Sequence, residues 1–230
     1  MLDLYGFGPA LIEGTWMTIR LSLASVALGL LLGLLGASAK ISDNPLVRGA
    51  GGFYTSIVRG IPETLWVLLA YYGTTSIFNY LGSFFGNPYL TLSPFIAGTL
   101  ALGLCFGAYA TEVFRGALLA IPNGQREAGL ALGMSRIRIF WRITLPQLWR
   151  VALPGLGNLY LILLKDTALV SLISLEEIMR KAQFASNATK EPFTFYFMAA
   201  LIYLGLTVII MAALHVFERR ANRGFVRTEL

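Results

Sequence analysis

Sulfur and imidazole chemistry are nearly absent from this chain of 230 residues, which has one cysteine, Cys105, and one histidine, His215. A single cysteine excludes an internal disulfide and any metal cluster built from thiolates, and inside an apolar run it reads as a small buried hydrophobe. His215, near the end of the last apolar run, reads as an interfacial residue rather than a ligand. Charge is scarce as well: Asp, Glu, Lys and Arg make up 13% of the chain, where a soluble domain has about a quarter. No Gly-x4-Gly-Lys-Ser/Thr run and no Gly-Lys dipeptide occurs, so there is no standard P-loop to cradle nucleotide phosphates. Neither a nucleophile-base-acid constellation nor a metal-ligand set stands out, which argues against bond chemistry on this chain. No long internal repeat is present, against the duplicated halves common in secondary transporters. The first residues carry Asp3 and Glu13 and no basic n-region, so the first apolar run is expected to stay in the mature protein.

What the chain does have is apolar length. Hydrophobic residues make up 56% of it and the mean hydropathy is +0.68, which places it in a membrane. Five stretches are long enough to cross a bilayer as helices: residues 16–39, 64–85, 93–114, 151–164 with a continuation toward 174, and 192–217. The fourth is interrupted by Lys165 and Asp166. The expected fold is therefore an all-α integral membrane protein of five spans, read as one membrane domain over residues 1–230.

The net charge of +6 could suggest nucleic acid, but a basic groove with interleaved exposed aromatics needs soluble surface that is missing here. Position explains the charge better. Lys40, Arg48 and Arg59 lie between spans one and two, and Arg115, Arg126, Arg136, Arg138, Arg142 and Arg150 between three and four. Arg219, Arg220, Arg223 and Arg227 follow span five. These are thirteen of the eighteen basic residues. The positive-inside rule then puts the amino terminus outside and the carboxyl terminus in the cytoplasm, as an odd number of spans requires. Gly29-x3-Gly33 and Gly103-x3-Gly107 allow helices to approach closely and read as general packing spacings rather than a specific dimer seam.

One polar piece breaks the pattern. Residues 126–148 gather arginines and Glu127 around a short helical pattern that runs through Ala128, Ala131 and Leu132. Gly133 offers a helix stop or a close backbone contact. Ile137, Phe140, Trp141 and Leu145 read as an amphipathic return along the membrane surface, with Pro146 opening the next span. On pattern alone two readings stand: arginines that meet lipid phosphates, or a handle held out for another protein.

The order Glu127-Ala128-Gly129, Gly133, Ile143-x-Leu145-Pro146 resembles the cytoplasmic "EAA" loop of the membrane subunits of bacterial ATP-binding cassette importers. The spacing agrees throughout, with Gly129 where alanine is usual. "SIVRGIPETL" (56–65), "GAYATEVFRGALLAIPNGQREA" (107–128) and "LLKDTALVSLISLEE" (163–177) resemble permeases for polar amino acids, of the histidine or lysine/arginine/ornithine importer type. The resemblance implies a type I importer permease fold with a cytoplasmic coupling helix in a loop at about 124–146, in the bacterial inner membrane. It implies docking of a separate ATPase dimer through Glu127, Ala128, Gly129 and Gly133, with ATP and Mg bound there and no cofactor on this chain. A homologous second permease, giving a heterodimer, and a periplasmic amino-acid-binding protein would complete the system. The rival expectation is a self-contained, ion-driven secondary amino-acid transporter.

Charges within spans are costly and are functional candidates by default. A basic amino acid needs carboxylates for its cationic groups, which Glu63, Asp166 or Glu177 could supply, and a donor for its α-carboxylate, which Lys165 or Asn158 could supply. Glu112 also belongs in the candidate path, but its spacing from Arg115 allows a helix-face ion pair that merely holds register.

Overall fold

The computed structural model describes residues 4–84 and 92–222, and among them all regular structure is helical. Residues 85–91 of the uncharged connection, and Arg223 and Arg227 of the basic tail, lie outside the described residues. The elements run α1 (Gly8–Lys40), α2 (Pro45–Gly60), α3 (Glu63–Leu68), a π turn (Leu69–Gly73), α4 (Thr74–Phe84), α5 (Pro94–Leu119), α6 (Asn123–Ala131) and α7 (Arg136–Ile139). A second π turn (Phe140–Thr144), α8 (Leu145–Asp166), a 3-10 turn (Thr167–Ile173), α9 (Ile178–Thr189) and α10 (Pro192–Ala221) complete the chain. Among the described residues, four helical runs are long and apolar enough to cross a membrane: Gly8–Lys40, Pro94–Leu119, Arg136–Ile173 and Pro192–Ala221.

The second expected span is the composite run from α3 through α4. Its entry is set by Pro62, which holds Ile61 extended between Gly60 and Glu63. The Trp66 indole N–H donates to the Val58 carbonyl at 3.1 Å and so satisfies a backbone acceptor left at the end of α2. The π turn inside the run frees carbonyls in its own coil. The hydroxyls of Thr74 and Thr75 donate to Ala70 and Tyr71, the latter from Thr75 at 2.7 Å.

Two boundaries differ from the sequence expectation. The fourth span does not begin at Pro146, because helical backbone is continuous from Arg136 through the π turn into α8. Proline clashes with the carbonyl four residues before it, and the wider π turn just ahead of Pro146 gives that ring room without ending the helix. Nor are α2 and α9 bare connections. Asn44 caps α2 by accepting from the Leu46 N–H at 3.0 Å with Pro45 in the first turn, and Glu177 caps α9 with both carboxylate oxygens.

Helices α1 and α5 form the spine of the core. The two glycine spacings seen in the sequence prove to face each other across this seam. A Cβ on Gly29 would stand 2.5 Å from the Phe106 ring and 3.0 Å from the Gly103 carbonyl oxygen, and one on Gly33 would stand 2.7 Å from the Ala110 Cβ. One on Gly107 would meet the Leu32 Cβ at 2.7 Å. Such close approach multiplies dispersion contacts between helices that gain nothing from hiding apolar surface from lipid. Leu21, Leu102, Phe106 and Phe114 fill the seam, and Leu148, Ala152 and Leu163 bring α8 against it. Helix α10 stays at the edge, with only 6% of its apolar window buried, and leans on α9 and α8.

The bundle has two distinct ends. One carries Lys40, α2, α6 and α7 and is called here the loop end. At the other, α9 closes over α1 and α10, with Leu11, Ile178, Ala182 and Phe195 as a small second core.

Candidate functional site

Glu63 and Asp166, two of the candidates, line one cavity of about 220 Å3 between α3, α5 and α8. Glu63 stands in the first turn of α3, where the break at Pro62 turns the helix N-terminus toward it and the backbone N–H groups favour an acidic side chain. Asp166 is the last residue of α8 before the backbone tightens into the 3-10 turn. Tyr109 lines the same cavity, and its hydroxyl donates to Glu63 Oε1 at 3.2 Å. The remaining wall is apolar, from Leu102, Phe106, Leu159 and Leu163, with Cys105 among them. Carboxylates in an apolar-walled recess suit a ligand with a cationic group and a hydrocarbon stem.

Tyr109 is also the wall between this cavity and a polar recess toward the loop end, which is lined by Lys40, Ser56, Arg59 and Glu112. The Arg59 guanidinium lies over the Tyr109 ring, 5.1 Å from its centroid. Sequence reasoning passed over Tyr109, although a phenol inside an otherwise apolar span was a visible signal.

The other candidates do not join Glu63 and Asp166. Glu112 is held from two sides: Lys40 at the end of α1 pairs with its Oε1, and the Arg115 Nε donates to its Oε2 at 2.9 Å. Lys40 also donates to the Thr55 hydroxyl at 3.0 Å, so one lysine ties α1, α2 and α5 together. Lys165, next to Asp166 in sequence, faces a different cavity with Met179, Tyr196 and Tyr203, because adjacent helical residues point about 100° apart. Asn158 faces a third, between α8 and α10, with His215 and Glu218. Glu177 lies outside the spans and is fully buried as the cap of α9. Its carboxylate accepts from the Met179 and Arg180 N–H groups at 2.9 and 2.8 Å and from the Tyr203 hydroxyl at 3.0 Å. Burial pushes this carboxyl up to about 7, against the pull of those hydrogen bonds.

At the loop end, α6 projects from the bundle. Gly129 is the one buried residue of α6, while Leu130, Leu132, Ile137 and Trp141 around it are exposed. The Gly129 departure has a packing reason: a Cβ there would stand 2.9 Å from Ile139 Cγ1 and 3.2 Å from Ile143 Cδ1. Gly133, at φ +72°, ends the helix in a Schellman turn. Its N–H donates to Leu130 O at 2.9 Å, and the Met134 N–H to Gly129 O at 3.0 Å. Ser135 then caps α7 by accepting from the Arg138 N–H at 3.4 Å. Glu127 and Ala128 are left on the exposed face of α6, on a loop whose geometry is fixed by glycine, a cap and two isoleucines.

A multi-span helical protein with carboxylates facing an internal cavity, and with no nucleotide-binding motif of its own, is built as the membrane part of a transport system. The sequence over residues 26–223 matches the family described as the binding-protein-dependent transport system inner membrane component, and the chain belongs to that family. It is thus a membrane permease component of an ATP-binding cassette importer, not its catalytic subunit. The octopine transport system permease protein OccQ of Rhizobium meliloti is 43% identical, over 98% of each chain. The histidine/lysine/arginine/ornithine transport system permease protein HisQ of Escherichia coli K12 is 40% identical, over 99% of this chain and 100% of that one. Among solved structures, that of an amino acid ABC transporter with histidines superposes with a TM-score of 0.80 at 31% identity, covering 95% of this chain and 97% of that chain.

Proposed function

We propose that this chain forms half of the membrane path of an ATP-driven importer for basic amino acids and their derivatives. The observation that carries the reading is the convergence of Glu63, with Tyr109 bonded to it, and Asp166 on one apolar-walled cavity. Two acids placed there favour a cationic side chain or α-ammonium, and the apolar wall favours the stem that joins them. Relatives named for octopine and for histidine, lysine, arginine and ornithine transport support that substrate class. Since Lys165 and Asn158 face elsewhere, the α-carboxylate is left to a donor outside this cavity, such as one on the second permease.

In this reading the loop end is cytoplasmic, the amino terminus periplasmic, and the membrane a bacterial inner membrane. The permease domain docks an ATPase dimer through Glu127, Ala128, Gly129 and Gly133 of the loop at 124–146, and ATP and Mg bind only on that partner. A homologous second permease completes a heterodimer, and a periplasmic binding protein delivers the substrate.

The test is uptake of labelled arginine by cells carrying the complete system with Glu63→Gln or Asp166→Asn. Loss of one charge-assisted contact is expected to reduce uptake about tenfold or more while the complex still assembles. Unchanged uptake by both variants would overturn the substrate site. ATP-independent uptake by the isolated chain in liposomes would instead favour an ion-driven transporter.

A further inference from the structure

Beneath the docking loop lies a cavity of about 410 Å3, where α6 and α7 fold back over the loop-end tips of α1 and α5. Its walls are of two kinds. Arg126 from α6 and Arg136 from α7 line it beside Asp43, while Leu34, Leu118 and Phe140 supply apolar wall. Among the described residues no ion pair engages either arginine, whereas Lys40, Arg115 and Lys181 are paired with Glu112 and Glu176. The cavity sits where the charge-free stretch of α1 from Leu21 to Ala39 gives way to polar chain, which is the depth of lipid headgroups when that stretch spans the hydrocarbon.

We infer that this cavity is a binding site for the headgroup of an anionic phospholipid of the phosphatidylglycerol type. Two guanidiniums line this one cavity, and guanidinium forks are the strongest common donors to a phosphate. Asp43 would repel a bare anion but can accept from a hydroxyl, so the site fits a phosphate that carries a hydroxylated substituent better than phosphate alone. The apolar wall suits the first methylenes of an acyl chain, which a free anion lacks. Both readings of the basic segment then hold, on different residues: Arg126 and Arg136 meet lipid beneath the loop, while Glu127 and Ala128 face outward. A lipid held there would set the angle at which α6 stands off the membrane, and so the strength of coupling.

This inference rests on the loop end being cytoplasmic, so its test is made independent of ATPase docking. The complete complex, purified from membranes containing phosphatidylglycerol and phosphatidylethanolamine, is examined for retained lipid by native mass spectrometry. Recovery of the ATPase is scored in the same preparation. Arg136→Gln is expected to lower retained phosphatidylglycerol about fivefold and Arg126→Gln similarly, whereas Arg138→Gln removes the same charge outside the cavity and leaves retention unchanged. Equal losses in all three variants would show diffuse surface attraction and overturn the site, as would no loss in any. Phosphatidylethanolamine retained in preference would overturn the headgroup assignment, and release of the ATPase with lipid still bound would count against the docking reading alone.

Discussion

The α1–α5 seam and the α6–α7 loop are both built on glycine, to opposite ends. In the seam, Gly29, Gly33 and Gly107 remove side chains so that two long helices touch along buried faces, locked at one end by Lys40, Glu112 and Arg115. In the loop, Gly129 lets two isoleucines close under a short helix and Gly133 supplies the left-handed residue that turns the chain, while nearly everything else is exposed. The first use makes a rigid frame; the second makes a shaped, exposed projection on that frame. The proposed coupling to a separate ATPase calls for both, since a compliant frame would absorb the stroke and a buried loop could not be grasped.

Three substitutions sharpen the contrast. The largest effect is expected from Gly29→Val, whose side chain has no space between the Phe106 ring and the Gly103 carbonyl. Overpacking costs about 1–3 kcal/mol where side chains can move and more against backbone, so folded yield after detergent size-exclusion chromatography should fall severely. Glu112→Gln comes next. It removes the negative charge and leaves one amide oxygen to accept from Lys40 or Arg115, and should lower stability by about 1–2 kcal/mol, with partial recovery in a Lys40→Glu, Glu112→Lys swap. Thermal unfolding in detergent measures both. Gly129→Ala should change least: a helix-propensity gain of about 1 kcal/mol opposes the displacement of Ile139, and the two nearly cancel.

The same contrast explains what could be read in advance. Long apolar runs and clustered charge are read residue by residue, so the all-helical membrane fold and the exposed loop were legible, with four of the five expected spans among the long apolar helices and the second built from the shorter run α3 to α4. Amphipathic α2 and α9 were not, because helices that rest on a bundle need no long apolar run. The continuous helix from Arg136 also escaped notice, since proline ordinarily signals a start and the π turn that accommodates it leaves no sequence mark. Within the site, Arg115 was visible as a partner of Glu112 from spacing alone, but Lys40, 72 residues away, was not. Lys165 and Asp166 looked like one feature, yet helical geometry sends them to separate cavities. Glu177 was a candidate substrate acid as a carboxylate that could meet a cationic group, and in the fold both of its carboxylate oxygens are bonded within the chain.

The central claim is that the glycine-shaped loop is the handle by which an ATPase moves this permease. The most direct measurement is recovery of the ATPase with tagged permease from native membranes, comparing wild type with Glu127→Lys. Glu127 is exposed and outside the seam, so the account predicts an unchanged elution profile for the permease and an ATPase yield reduced about tenfold or more. Equal recovery of the ATPase with both forms would contradict it.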